Sequence, residues 1–180
     1  MRFTPIAIVG RACLLPGAHT PEALWRAVRE GRDLLAPATA EHWRVPLEDV
    51  ITSDVADAAD KSWSAVGGHV DDFHFDPAGY AVDESELEGL DPLFHWVLDT
   101  ARKALSDAGV TGTDHARTGA VLGNLSYPSP EHSRYAESVW LGELSERAGV
   151  GRVDPRNRFM SGLPAHLLGR ALGLGAGSFA

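Results

Sequence analysis

Apolar residues recur along this chain in two rhythms, separated by a long stretch with neither. Residues 6–9 form a short, unbroken and partly β-branched apolar run closed by Gly10, a pattern that predicts a buried parallel strand. Residues 11–18 then read as a loop with Pro16 and Gly17 as its turn signal. Thr20 is placed to cap a helix whose first residue is Pro21, with Glu22 in the first turn. Leu24, Trp25 and Val28 follow at helical spacing, and Gly31 ends the helix. The clearest helix covers residues 90–108. Asp91 is its cap, Pro92 its first residue, and Phe94, Val97, Leu98, Ala101, Ala104, Leu105 and Ala108 line one face before Gly109. Residues 118–123 predict the next buried strand, and residues 131–148 a helix after the loop marked by Pro128 and Pro130. Asp154 and Pro155 restart the chain, and residues 162–172 predict a last short helix with Pro164 in its first turn. Strand, loop and helix in this order open an α/β unit.

Between these elements, residues 34–89 form a long irregular insertion. Pro37, Pro46, Gly67, Gly68, Pro77 and Gly79 interrupt any period, and acidic residues crowd positions 49–60. Loops of this length are functional or disordered. Trp43, Trp63, Phe73, Phe75 and Tyr80 argue for packing, because disordered segments are poor in aromatic residues. Residues 66–77 alternate weakly, enough for one short strand.

Composition narrows the function. A chain of 180 residues is long enough for one domain with a hydrophobic core. The net charge of -9, from 25 acidic and 16 basic residues, argues against a nucleic-acid partner, which requires a clustered basic surface. The single cysteine, Cys13, forms no internal disulfide. The apolar run at residues 6–9 is too short for a signal-peptide core, and no stretch is long enough to span a bilayer. These features place the expected compartment in the cytoplasm, away from membranes.

Five motifs in order carry a resemblance. IAIVGRACLLPG at 6–17 resembles I-A-I-V-G-x-x-C-x-F-P-G, with Leu15 in place of phenylalanine, and PEALWRAVREGRD at 21–33 resembles x-x-x-F/L-W-x-x-L-x-x-G-x-D. DKSWSAVGGH at 60–69 is similar to D-K-x-Y-x-x-x-G-G-F, and LDPLFHWVLDTARKALSDAG at 90–109 to M-D-P-x-x-R-x-x-L-x-x-A-x-x-A-L-E-D-A-G, with His95 in place of arginine. The final stretch, 161–180, resembles the segment leading into the nucleophile strand of β-ketoacyl synthases. The chain therefore resembles the N-terminal region of these condensing enzymes, as found in type I polyketide and polyunsaturated fatty-acid-type synthases.

That resemblance implies the N-terminal half of a thiolase-like fold, an α/β architecture with a mostly parallel sheet and flanking helices. It implies that residues 1–180 stop short of the cysteine that takes the acyl chain, and that the histidines and lysine of the full site also lie beyond. The intact domain is expected to join an acyl thioester to malonyl-carrier protein by decarboxylative Claisen condensation. This chain alone is expected to be inactive. The implied partners are an acyl carrier protein bearing phosphopantetheine, a second copy in a homodimer and the remainder of the synthase; no cofactor is expected on the chain itself. Asn124, Phe159, Met160 and Ser161 fall where the family builds its acyl-chain pocket and dimer contacts, although by composition Phe159 and Met160 serve equally as core.

Cys13 lacks a histidine partner at any recognisable spacing, so no catalytic residue is assigned, and burial is its expected role. His69 and His74, with Asp71 and Asp72 between them, match no helical ligand spacing, and no metal is expected. Residues 10–17 fit neither G-x-G-x-x-G nor the P-loop, against nucleotide binding. The alternative to an enzyme fragment is a non-catalytic module that binds a carrier protein or an intact synthase.

Overall fold

The computed structural model describes residues 4–54, 59–110, 112–124, 129–149, 151, 153–159 and 161–180. It divides into two compact units, one of Met1–Ala12 with His74–Ala180 and the other of Cys13–Phe73.

In the first unit, α5 (Pro92–Asp107) packs against α9 (Gly162–Ala171). The apolar face read from the sequence is the one that is buried. Phe94 and Leu98 from α5 meet Leu167, Leu168 and Ala171 from α9, and Leu87 and Leu90 close the cluster. Burying side chains of this size contributes roughly 1.5–3 kcal/mol each, so this cluster dominates the unit's stability. Phe75 and Tyr80 pack against its edge. Asp99 is also buried on α5, and Lys103 one turn later approaches it to 2.7 Å.

The helix expected over residues 131–148 is two helices, α7 (Pro130–Leu141) and α8 (Leu144–Arg147). Gly142 separates them with φ 53° and ψ -125°, a conformation that a side chain would strain. A 3-10 turn, Pro155–Arg158, packs beside α7 and leads towards α9. Strand β3 (Ala120–Val121) pairs in parallel with β4 (Ser178–Phe179), in the register Ala120 to Ser178 and Val121 to Phe179.

Residues 6–9 depart from the expectation of a buried strand. Ile6, Ile8 and Val9 are 95%, 90% and 69% exposed. A strand is made by its neighbour's hydrogen bonds, and among the described residues no strand lies beside this one. The segment is anchored further on, where the Arg11 backbone N–H donates to Asp107 at 2.8 Å.

In the second unit, α1 (Pro21–Glu30) has the expected cap: Thr20 accepts from the Ala23 N–H at 3.1 Å. The irregular stretch contains short elements. β1 (Ala36–Pro37) pairs antiparallel with β2 (Val66–Gly67), and α2 (Ala40–Trp43) and α3 (Leu47–Val50) lie between them in sequence. A further turn, α4 (Glu84–Leu87), belongs to the first unit and contributes Leu87 to its core. The aromatic residues of the stretch divide: Phe75 and Tyr80 pack, whereas Trp63 is 65% exposed.

Candidate functional site

The candidate pocket residues sit on two stretches of the first unit. Asn124 is half-buried just after β3, which is held to β4 by Leu122 N–H donating to the Phe179 carbonyl at 2.8 Å. Phe159 and Ser161 lie together before α9. Phe159 is 49% exposed, with the Arg158 guanidinium over its ring at 4.4 Å from the centroid. Ser161 is exposed at the N-terminus of α9. Met160 lies outside the described residues. Phe159 is thus surface rather than core.

A buried polar node, invisible to sequence reasoning, joins the starts of α5 and α7 to the 3-10 turn. Asp91 is 2% exposed and uses its two carboxylate oxygens on two helices. Oδ1 accepts from the Leu93 N–H at 2.9 Å and caps α5, while Oδ2 accepts from the Glu131 N–H at 3.2 Å in the first turn of α7. Carboxylates favour both places, because the first N–H groups of a helix lack partners inside it. Asn157, with no exposed surface, completes the node. Its Oδ1 accepts from the Asp91 N–H at 2.9 Å and its Nδ2 donates to the Gly89 carbonyl at 3.0 Å.

Beside it, the Arg156 guanidinium grips Asp154 through Nε at 3.0 Å and donates to the carbonyls of Glu86 and Glu88. Hydrogen bonding from Arg156 holds the Asp154 carboxyl below its ordinary range. The same arrangement, from Arg170 on α9, lowers Glu86. The 3-10 turn is therefore bolted to residues 86–91 by both Arg156 and Asn157. The two Asp-Pro pairs, at 91–92 and 154–155, were legible as helix starts. The partnership of Asp91 with Asn157 spans 66 residues and leaves no local signal.

Cys13 is half-buried, and burial first, then the negative charge of Glu22, push its thiol above its ordinary value. That is the reverse of an activated nucleophile. His69 stacks on His42 at 3.9 Å, and His42 Nε2 bonds Asp71 at 2.8 Å. Among the described residues, no three His, Cys, Asp or Glu side chains are grouped to hold a metal. The cavity beside this pair, lined by His42, Trp43, Ser64 and His69 among others, holds about 240 Å³, below the roughly 300–1,000 Å³ of small-molecule sites. No helix among the described residues is long and apolar enough to cross a membrane.

Residues 3–171 match the family model described as beta-ketoacyl synthase, N-terminal domain. The chain is 33% identical over 170 residues to a mycocerosic acid synthase-like polyketide synthase of Mycobacterium tuberculosis, covering 93% of this chain and 8% of that protein. It is 35% identical over 168 residues to the pikromycin polyketide synthase component PikAII of Streptomyces venezuelae, covering 92% of this chain and 4% of the relative. The chain thus spans less than a tenth of either relative. Among solved structures, it superposes on the PfaC keto synthase-chain length factor with a TM-score of 0.81 at 30% identity, covering 93% of this chain and 20% of that one. An oxazolomycin ketosynthase domain from Streptomyces albus shares the fold, with a TM-score of 0.71 at 24% identity over 96% of this chain and 28% of its own.

Proposed function

Since the chain belongs to the β-ketoacyl synthase family, through its N-terminal domain, we propose that it is the scaffold-bearing front of a ketosynthase in a polyketide or polyunsaturated fatty-acid-type synthase. The observation that carries this reading is the family match over residues 3–171. The superposition at a TM-score of 0.81 supports it with a thiolase-like ketosynthase fold.

In this role the α5–α9 core supports the β3–β4 pair, and Asn124, Phe159, Met160 and Ser161 contribute to the acyl pocket or the dimer interface. The intact domain transfers an acyl group from a carrier's phosphopantetheine thiol to its own cysteine. Loss of carbon dioxide from malonyl-carrier protein leaves an enolate. Its carbon attacks the acyl thioester, forms the new carbon–carbon bond and expels the cysteine thiolate. An acyl carrier protein, a second copy and the remainder of a cytoplasmic synthase are its partners. Cys13, the one cysteine of residues 1–180, has its thiol pushed above its ordinary value by burial and by Glu22, which supports a nucleophile other than Cys13.

The test is to supply acyl- and malonyl-carrier substrates and to follow β-ketoacyl product by mass spectrometry. The chain alone is expected to give none, whereas the intact domain that contains it gives product. Product from the chain alone overturns the assignment of the nucleophile to residues outside it. An intact domain that condenses nothing overturns the ketosynthase reading.

A further inference from the structure

We propose that Gly169 and Ser178 are positioning residues: their contact sets how closely β4 seats on α9, and through β4 the placement of the cysteine that takes the acyl chain. The claim about the cysteine rests on the ketosynthase reading, in which β4 runs on towards it. The claim about the seat rests on geometry alone.

Glycine inside a helix is less stable than alanine at the same place. Gly169 nevertheless lies in the last turn of α9, and no positive φ calls for it there. What calls for it is a neighbour on β4. A Cβ at position 169 would stand 3.0 Å from Ser178 Oγ and 3.3 Å from Ser178 Cβ. Rotating the hydroxyl relieves the first contact but not the second, because Cβ moves only with the strand backbone. A side chain at 169 therefore lifts β4 off α9 by a few tenths of an ångström.

Within the sheet, β4 has little freedom. The Gly175 N–H donates to the His115 carbonyl at 2.9 Å and the Ala176 N–H to the Thr118 carbonyl at 3.1 Å. In return, the Ala120 and Leu122 N–H groups donate to the carbonyls of Gly177 and Phe179 at 2.9 and 2.8 Å. These bonds fix β4 beside β3, but they do not fix the height of the pair over α9, which depends on what stands between sheet and helix. Ser178 touches α9 at Gly169, and its register partner Ala120 packs against the α5–α9 core. Val121 and Phe179, the next pair in register, are 85% and 64% exposed. The seat is therefore set from the α9 side.

Helix propensity and the contact predict opposite signs for one substitution. By propensity alone Gly169→Ala raises stability, and by the contact it lowers stability. Denaturant midpoints are measured for the intact condensing domain that contains this chain, as parent, Gly169→Ala, Ser178→Gly and the double variant. Gly169→Ala is expected to lower the midpoint of the parent. In the Ser178→Gly background, where both contacting atoms are gone, it is expected to raise it. The same sign in both backgrounds overturns the contact. Should Gly169→Ala not fold, recovery of folding in the double variant supports the contact, and failure to recover overturns it.

The second arm reads kcat and KM for condensation by the same domain. Gly169→Ala is expected to lower kcat by about 3–10-fold with KM held, because small displacements of a reacting group spoil its alignment. Adding Ser178→Gly is expected to restore most of that loss, which supports the proposal in full. Thr20→Ala removes the α1 cap in the other unit, lowers stability without touching β4 and is expected to keep kcat. A reversed midpoint with kcat unmoved, or an equal fall of kcat in Thr20→Ala, overturns the placement of the cysteine and leaves the seat standing. A parent domain that condenses nothing overturns the ketosynthase reading instead, and the midpoints still decide the seat.

Discussion

Tyr80 shows how one atom in a packed core sets a pH dependence. Its ring is stacked 5.6 Å from Phe75, with the Arg102 guanidinium over its face, and its hydroxyl is buried with no hydrogen-bond partner among the described residues. Burial pushes its ionisation up from 10.0 to about 12. The unfolded chain therefore releases this proton at a lower pH than the folded one, and the native state binds more protons between those values. Stability from this group is complete below pH 10.0 and is lost as pH rises towards about 12. Tyr80→Phe is expected to flatten that alkaline decline relative to the parent, as read by denaturant midpoints across the range. Near neutral pH the same variant removes a hydroxyl that is desolvated and unpaired, so stability is expected to hold or rise by up to about 1 kcal/mol. A loss instead means that the hydroxyl has a partner.

Helix α5 shows the same economy among elements. One face makes the core with α9, and its C-terminal end receives the backbone of Gly10 so closely that glycine is required. A Cβ at Gly10 would stand 2.3 Å from the Ala104 carbonyl oxygen and 2.7 Å from Ala108 Cβ. Gly10→Ala is therefore expected to cost about 1–3 kcal/mol, the range for overpacking. The fall should appear in the denaturant midpoint of the unit formed by Met1–Ala12 and His74–Ala180. Unchanged stability means that this backbone does not approach α5. Leu98→Ala, deeper on the same helix, is expected to cost more, about 2–5 kcal/mol, because it leaves a cavity rather than a clash.

Across the whole molecule the informative feature is apolar surface left open. Ile6 and Ile8 are 95% and 90% exposed, Val121 and Trp140 both 85%, and Phe179 64%. Soluble monomers rarely leave many large apolar side chains this bare, and the PfaC structure on which this chain superposes is about five times as long, since the match covers only 20% of it. The chain alone is expected to bind a hydrophobic dye such as ANS and to self-associate on sizing columns. Joined to the remainder of an intact ketosynthase, it should do neither. A dye-silent, monodisperse monomer with a sharp melt contradicts this account and favours a self-contained binding module.

What the sequence by itself determined was local or periodic. The caps at Thr20 and Asp91, the buried face of α5 and the order of the family motifs were all legible, because each depends on residues within a few positions of one another. The break at Gly142 is not legible in the sequence, since one glycine in a helical pattern signals a stop only when its backbone leaves the helix. Residues 6–9 carried a strand's composition without a strand's structure, because composition supplies no neighbour to pair with. Of the candidate site, Phe159 and Ser161 were named, but the node that holds their segment was not. Only the tertiary structure brought Asp91 to Asn157 and Glu131, because a buried hydrogen bond between distant residues is decided by where the helices between them pack.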